Sequence, residues 1–386
     1  MKKNKSLYHI INNLYVQVKI FITGSISLFI ILLFSKIKNT DNREKQLLCI
    51  NTEKLGDLLL ASDFLFSLGN NGNYNQKYIV IQDNYLSLYN WGKLGFRPIV
   101  FNKISYKYNL IYRIKFILQL RQITFSLVIN ITPERGWINE ELSLVASTNE
   151  RICLKEKSRY LSPVLINCFN KRYTNIKKYS ILNEYEILKS FLRELNIYGQ
   201  KVFDIFNIST GEKVKDILAE INGQKYICVA PFASGKIKSW NLDNYFEILE
   251  KYNEKYQIII LGNRTEIEKF KKRHGRVKNV INKYFSFTDT VAIIKKTSVF
   301  LGNDSGLTHI AHNIEISTVA IIGGGEYGYY FPYKKNPKTI YYYHHLDCFG
   351  CHWDCIYKER YCLKYVRVDE VIKGINSFLV LNDIKK

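Results

Sequence analysis

The chain has 386 residues, 47% apolar and 23% charged, which excludes a disordered or fibrous protein and leaves room for two domains with buried cores. Lysine and arginine outnumber aspartate and glutamate 56 to 34, a formal charge of +22, which favours an anionic partner such as a nucleotide, a phospholipid or a phosphorylated glycan. No recognition-helix pattern, ribonucleoprotein motif or arginine-rich arm accompanies the charge, so nucleic acid is not the expected partner.

Residues 1–44 read as a hydrophobic and basic segment. The stretch from Ile20 to Ser35 is uncharged, flanked by Lys19 and Lys36, with Lys2, Lys3 and Lys5 upstream. It is short for a spanning helix, which wants about 20 apolar residues, and Thr23, Gly24, Ser25 and Ser27 interrupt it. An interfacial helix on an anionic membrane surface is expected, the alternative being a helix packed on the body. No small-residue cleavage site follows Phe34.

Leu47 to Asn51 is a strand candidate, followed by a loop ending in Gly56 and Asp57 and a helical run from Leu58 to Leu68. In open α/β sheets ligands bind beyond the carboxyl ends of strands, so Asp57 would stand at the edge of a crevice. A carboxylate there can act as a general base; the competing role is capping the helix. Apolar runs recur at Tyr78 to Ile81, Pro98 to Phe101 and Ser126 to Asn130, spaced by segments such as Tyr108 to Gln122. Lys54, Arg135 and Trp137 lie near predicted strand ends and are candidate acceptor contacts.

A second series repeats the pattern at Tyr226 to Ala230, Gln257 to Leu261, Val299 to Leu301 and Thr318 to Ile322. Helices are expected near Asn241 to Tyr252, Glu266 to Lys272 and Asp289 to Lys296. Short buried-type runs with helical spacers predict parallel sheets covered on both faces, hence an α/β protein of two Rossmann-like domains. The pattern breaks between Asp204 and Gly223, which places the domains at 45–210 and 211–365. Residues 366–386 include an amphipathic helix, Val368 to Leu381, expected to pack at the domain junction.

Within the second series, Gly302-Asn303-Asp304-Ser305-Gly306-Leu307-Thr308-His309 reads as a glycine-bracketed turn after a strand. Gly306 and the small hydroxyls allow close backbone approach to a ligand, and the amides of a helix from Leu307 to Asn313 could meet phosphate. The competing reading is an ordinary turn with Asp304 or Ser305 as N-cap. Cys348, Cys351, Cys355 and Cys362 fall within fifteen residues, near His344, His345 and His352. Four thiolates are enough for a structural zinc, but the spacing is tighter than the usual pair of knuckles and weighs against one. Cys49, Cys153, Cys168 and Cys228 read as small core hydrophobes.

Four segments, in order, resemble the ADP-heptose:lipopolysaccharide heptosyltransferases, glycosyltransferase family 9, of GT-B fold. They are Leu55-Gly56-Asp57-Leu58-Leu59; Ala230-Pro231-Phe232-Ala233-Ser234 with Lys238-Ser239-Trp240; Leu261-Gly262 with Glu266; and the Gly302 to His309 turn. The resemblance implies two Rossmann-like domains facing across a cleft, with Asp57 as the base that deprotonates the acceptor hydroxyl. It implies that Lys238 and Ser234 bind donor phosphates, that Glu266 holds the ribose, and that Asp304, Ser305, Gly306 and His309 line the sugar and diphosphate pocket.

It further implies an inverting transfer from a nucleotide-diphosphate sugar to a lipid-linked or lipopolysaccharide acceptor, on the cytoplasmic face of the membrane. No cofactor is implied. No Asp-x-Asp motif appears at a strand end, so helix amides and Lys238 are expected to take the role of a metal. The chain departs from the family at Gly323-Gly324-Gly325-Glu326, where relatives usually show Gly-Pro-Thr; that loop normally touches donor phosphate, which leaves other nucleotide-hexose donors open. A non-catalytic nucleotide-binding scaffold is the rival from another class. A dehydrogenase or epimerase would need a Gly-x-Gly-x-x-Gly after the first strand, and Asn51 to Asp57 holds one glycine.

Overall fold

Runs rich in Val, Ile and Leu, too short for helices and bounded by polar turns, become strands buried on both faces when helices cover the sheet. The computed structural model describes residues 7–35 and 45–384, apart from 133, 157, 159, 182, 200–204, 209–210, 222 and 275–277. The chain divides into two compact units, 4–201 and 202–386.

In the N-terminal unit β1 (Gln46–Ile50), β2 (Gln76–Gln82), β3 (Arg97–Phe101), β4 (Leu127–Asn130), β5 (Arg151–Cys153) and β6 (Asn175–Ile176) form one sheet. All pairs are parallel, in the order β3-β2-β1-β4-β5-β6. The C-terminal unit repeats this arrangement with β7 (Tyr226–Ala230), β8 (Gln257–Ile260), β9 (Val280–Ile281), β10 (Val299–Asn303), β11 (Thr318–Ile321) and β12 (Thr339–Tyr342), ordered β9-β8-β7-β10-β11-β12. Both are doubly wound orders, in which the chain reverses direction across the sheet beside the first strand. Every residue of β1 and of β7 is buried.

The helices of six or more residues in the N-terminal unit are α1 (Leu7–Ser35), α2 (Leu55–Leu60), α3 (Ser62–Gly69), α4 (Lys103–Tyr108), α5 (Leu110–Arg121), α6 (Trp137–Val145), α7 (Pro163–Asn170) and α8 (Glu184–Glu194). The single helix expected after Asp57 is two, α2 and α3, meeting at Ala61. The segment 108–122 also belongs to two helices, because Asn109 leaves helical geometry and its side chain accepts from Tyr112 N–H at 3.0 Å, capping α5. The C-terminal unit contributes α9 (Glu212–Glu220), α10 (Leu242–Tyr252), α11 (Arg264–His274), α12 (Phe287–Lys296), α13 (Gly306–Asn313) and α14 (Val368–Ile384). Helix α14, expected at the domain junction, buries Val371, Ile375 and Phe378 in the core of its own unit beside Val319 and Ile321.

Helix α1 lies on the body of the N-terminal unit. Ser27, Ile30, Ile31 and Phe34 are buried, and a Cβ on Gly24 would come 2.6 Å from Leu165 of α7. The packed helix set aside as the alternative is therefore what forms on this face. The opposite face stays exposed.

Two buried ion pairs stitch this helical layer. Arg113 donates through Nε to Glu141 Oε1 at 2.6 Å and through Nη2 to Ser27 Oγ at 2.9 Å. Arg135, expected as an acceptor contact, is instead fully buried. It holds Glu140 bidentately at 2.8 and 2.6 Å, and its Nη1 reaches Asn170 Oδ1 at 2.6 Å. Trp137 is likewise structural, stacked on Tyr106 with the Arg113 guanidinium over its ring. Removing one member of a buried pair leaves a charge without compensation. Arg135→Leu is therefore expected to cost about 3–5 kcal/mol in urea unfolding, and adding Glu140→Leu should recover part of that loss; additive losses would show that the pair is not coupled.

Candidate active site

Each unit carries polar residues where its central strands end. In the N-terminal unit the turn after β1 is held from three directions. Gln82 Nε2 donates to the carbonyls of Thr52 and Glu53 at 2.8 and 2.7 Å, Lys103 Nζ to Thr52 O at 2.8 Å, and Asn139 Nδ2 to Glu53 Oε1 at 2.8 Å. Thr52 Oγ1 also donates to Asn139 Oδ1. The rigid turn delivers Gly56 and Asp57 into the first turn of α2, where the Asp57 carboxylate accepts from Lys54 N–H at 3.1 Å. The capping role weighed for Asp57 is thus present in the geometry. Lys54 is exposed.

A neighbouring acidic residue was not anticipated. Glu184 opens α8 and is buried, paired with Lys155, which also lies 4.0 Å from Glu134. Burial pushes the Glu184 carboxyl up to about 7 against the pull of Lys155, with the charges of Glu134 and Asp57 adding to the rise. Its only sequence signal is an acidic residue after an N-cap asparagine, which is commonplace.

In the C-terminal unit the expected turn begins later than the sequence implied, because Gly302 and Asn303 belong to β10 and register against Ala320 and Ile321. Gly302 is required here: a Cβ would fall 2.7 Å from Thr308 Oγ1 and 2.9 Å from the Phe300 ring. Asn303 donates through Nδ2 to Pro231 O at 2.7 Å and accepts from Trp240 N–H at 2.9 Å. It clamps the 231–240 loop, with exposed Ser234 and with Lys238, to the end of β10. Trp240 is buried in the core.

The clamp brings Lys238, Asp304 and His309 together. Lys238 Nζ stands 3.7 Å from Asp304 Oδ2, and His309 Nε2 lies 3.4 Å from Asp304 Oδ1. Burial pushes the Asp304 carboxyl up, but the hydrogen bond from His309 and the charge of Lys238 outweigh it and hold the group below the usual carboxylate range. Burial lowers His309 despite Asp304, so a neutral imidazole donates Nε2–H to the carboxylate while its ring stacks on Phe331 at 3.9 Å. Ser305 occupies the N-cap of α13 without a side-chain cap bond, and Gly306 is the first helical residue. The α13 amides therefore open beside Lys238 and Asp304.

Glu266, expected on the ribose, accepts from Asn263 N–H at 2.8 Å while Asn263 Oδ1 accepts from Glu266 N–H at 2.9 Å. This reciprocal bond starts α11. Burial raises the Glu266 carboxyl.

The divergent Gly323-Gly324-Gly325 turn has a steric cause. A Cβ on Gly323 or Gly325 would come 2.3 Å from the Trp353 ring, and one on Gly324 would come 2.4 Å from Phe349. The cysteine-rich loop is pinned there by Gly350 N–H to Gly324 O and His352 N–H to Gly325 O, both 2.8 Å. Trp353 in turn sets its indole 5.7 Å from Lys238 Nζ, with Tyr330 at 6.0 Å, an aromatic setting favourable to an ammonium. Neither ring was singled out from the sequence.

In the same loop burial, then neighbouring cysteines, push the Cys348 and Cys362 thiols up and Cys355 to about 11. All four are free thiols, and among the described residues no three or more His, Cys, Asp or Glu side chains converge as a metal-ligand set. Cys49, Cys153 and Cys228 are buried as expected, whereas Cys168 is half-buried.

Two doubly wound units of this kind define a GT-B fold. A glycosyltransferase family 9 structure from Veillonella parvula DSM 2008 matches with a TM-score of 0.70 at 14% identity, over 89% of this chain and 99% of that one. The E. coli heptosyltransferase WaaC with ADP-2-deoxy-2-fluoro heptose matches with a TM-score of 0.60 at 14% identity, over 86% and 99%. The family model for glycosyltransferase family 9 (heptosyltransferase) matches residues 113–354, and the chain belongs to that family. It is 26% identical over 280 residues to lipooligosaccharide heptosyltransferase 2 of Campylobacter jejuni serotype O:6 strain 81116, spanning 68% of this chain and 83% of that protein.

Two predictions follow from the geometry. Because the folded Glu184 carboxyl sits above its ordinary 4.5, the stability it contributes is complete below that value and is lost as pH rises through about 7. The unfolding free energy of the native protein minus that of Glu184→Gln should fall across this window, and parallel pH profiles would refute the raised value. Gly325→Ala must displace Trp353, which should cost about 1–3 kcal/mol and alter tryptophan fluorescence; unchanged emission and stability would count against the packing.

Proposed function

We propose that the protein is an inverting, metal-independent glycosyltransferase that moves heptose from ADP-heptose to a lipopolysaccharide core or a related lipid-linked acceptor, at the cytoplasmic face of the membrane. The single observation that carries this reading is the Lys238–Asp304–His309 cluster at the start of α13. An ammonium beside open helix amides is a cradle for a diphosphate, and Asp304 fixes its position. The E. coli relative holding a fluorinated ADP-heptose supports the nature of the donor, and the Campylobacter relative, named for lipooligosaccharide, supports the acceptor class.

In this reading Asp57 takes the proton of the acceptor hydroxyl as its oxygen attacks the anomeric carbon from the face opposite the nucleotide. The bond from that carbon to the diphosphate breaks and its electron pair leaves on the phosphate oxygen. Lys238 and the α13 amides offset the charge that develops there, a role that elsewhere falls to a divalent cation. Ser234 adds a hydroxyl to the phosphate site, and one oxygen of Glu266 receives the ribose while the other stays on Asn263. Gly323 and Gly324 seat the Trp353 and Phe349 rings, which wall this side of the donor site. A nucleotide-hexose donor is the second reading, favoured by the altered glycine turn with Trp353 and Phe349 seated on it.

Calorimetry on the full chain in detergent, with EDTA present, tests the donor. ADP is expected to bind in preference to GDP, UDP and CDP, with affinity lost in Lys238→Ala. Asp57→Ala should keep ADP binding and lose about 10²–10⁴-fold in transfer rate. Preference for another nucleotide would move the donor to a different sugar, undiminished transfer by Asp57→Ala would remove Asp57 as the base, and absence of binding to all four would overturn both the transferase and the nucleotide-binding scaffold.

A further inference from the structure

Most of the exposed large hydrophobic side chains among the described residues lie away from the site. Of 25 exposed large hydrophobic side chains, fifteen lie on α1 or on the α4–α5 pair. On α1 they include Val18, Ile22, Ile26, Phe29 and Leu33, spaced along one helical face; on α4 and α5 they include Ile104 at 72%, Tyr108 at 69%, Leu110 at 57% and Ile111 at 70% exposure.

The two sets belong to one surface. Ser27 accepts from Arg113 at 2.9 Å, and Phe34 lies under Arg121 at 5.9 Å. These two contacts step in the same direction along α1 and α5, and both helices pack on α6. Their inner faces meet in a shared core of Ile30, Ile31, Phe34, Phe116, Ile117 and Leu120. Their outer faces point away from it together.

Charge identifies the occupant. The sequence has no acidic residue from 1 to 40 and none from 84 to 133, where seven lysines and arginines fall. Lys19, Lys107 and Lys115 are exposed around the apolar side chains. An apolar face with a uniformly basic rim complements an anionic bilayer, whereas a second copy would set like charges against each other.

We infer that α1 and the α4–α5 pair form a three-helix platform that docks in the plane of an anionic membrane. This deepens the reading of a membrane-borne acceptor, on which its functional meaning rests. The platform joins the candidate site directly: Lys103, the first residue of α4, donates to Thr52 O at 2.8 Å and lies 4.0 Å from Glu53, while its neighbour Ile104 is exposed. Docking would thus lay the Asp57-bearing turn beside the headgroup layer, where a lipid-anchored sugar is presented. Helix α1 contains a stretch, Tyr15–Phe34, long and apolar enough to cross a membrane, but its buried Ser27, Ile30, Ile31 and Phe34 assign it to lie along the body.

The test is co-sedimentation of the full chain with phosphatidylcholine vesicles with and without phosphatidylglycerol. Wild type is expected to partition at least tenfold more strongly onto the anionic vesicles, less so in high salt, and to be released by alkaline carbonate. Leu110→Gln with Ile111→Gln, which alters α5 alone, should weaken partition at least tenfold while leaving the melting temperature and ADP affinity unchanged. Wild-type partition by that variant would overturn the platform, leaving α1 as sole anchor. Retention after carbonate would overturn in-plane docking. A concentration-dependent dimer lost in the variant, without vesicle binding, would assign the face to self-association. Loss of nucleotide binding with vesicle binding intact would defeat the proposed transfer and leave the platform standing.

Discussion

A parallel strand covered by helices on both faces has no place for an uncompensated polar side chain except at its ends. Both sheets obey this constraint, and the chemistry of the protein collects where it is relaxed. After β1 the chain turns polar at Asn51 and Thr52; β4 ends in Asn130, followed by Thr132; β10 ends in Asn303, followed by Asp304. Each of these side chains answers a backbone or side-chain group that the turning chain would otherwise strand. Asn130 Oδ1 accepts from both the amide and the hydroxyl of Thr132, and Asn303 satisfies Pro231 O and Trp240 N–H together. The bonds that solve the burial problem also position the candidate site.

Asn303 shows the coupling most clearly. Its amide fixes the loop that carries Lys238, and the following Asp304 receives both the Lys238 ammonium and His309. Asp304 is buried, so its charge persists only because two partners face it. The aromatic wall of Trp353 and Tyr330 closes on the same ammonium. Three bare glycines make room for Trp353 and Phe349, so a departure from the family's usual turn becomes one half of a packing exchange with the cysteine-rich loop.

The buried charges of the N-terminal unit do different work. Arg113 and Arg135 each pair with an adjacent glutamate of α6 and then reach outward, Arg113 to α1 through Ser27 and Arg135 to α7 through Asn170. They set the register of a helical layer whose apolar packing alone is weakly directional. Without Ser27 and Gly24 facing inward, α1 would have little to choose between one apolar face and another. Its polar interruptions, which in the sequence argue against a spanning helix, mark the side that docks on the protein.

Much was legible in the residues themselves. Alternation of short β-branched runs with helix-length spacers implied two doubly wound units, because strand and helix periods are local properties of the chain. Asp57, Asp304 and His309 stood out in polar turns after apolar runs and Lys238 through the family resemblance, and the last three of these do meet in space. Other assignments needed tertiary structure. Arg135 reads the same in sequence whether it meets solvent or Glu140; Trp353 and Glu184 are far along the chain from the groups that give them meaning; Glu266 and Asp57 show their capping bonds only once their helices exist. The sequence alone determined periodicity and the ends of strands, since both are written within a few neighbouring residues. Which polar groups are buried, which face of α1 is covered, and which rings approach Lys238 were decided by packing between segments distant in the chain, where a side chain's environment rather than its identity sets its role.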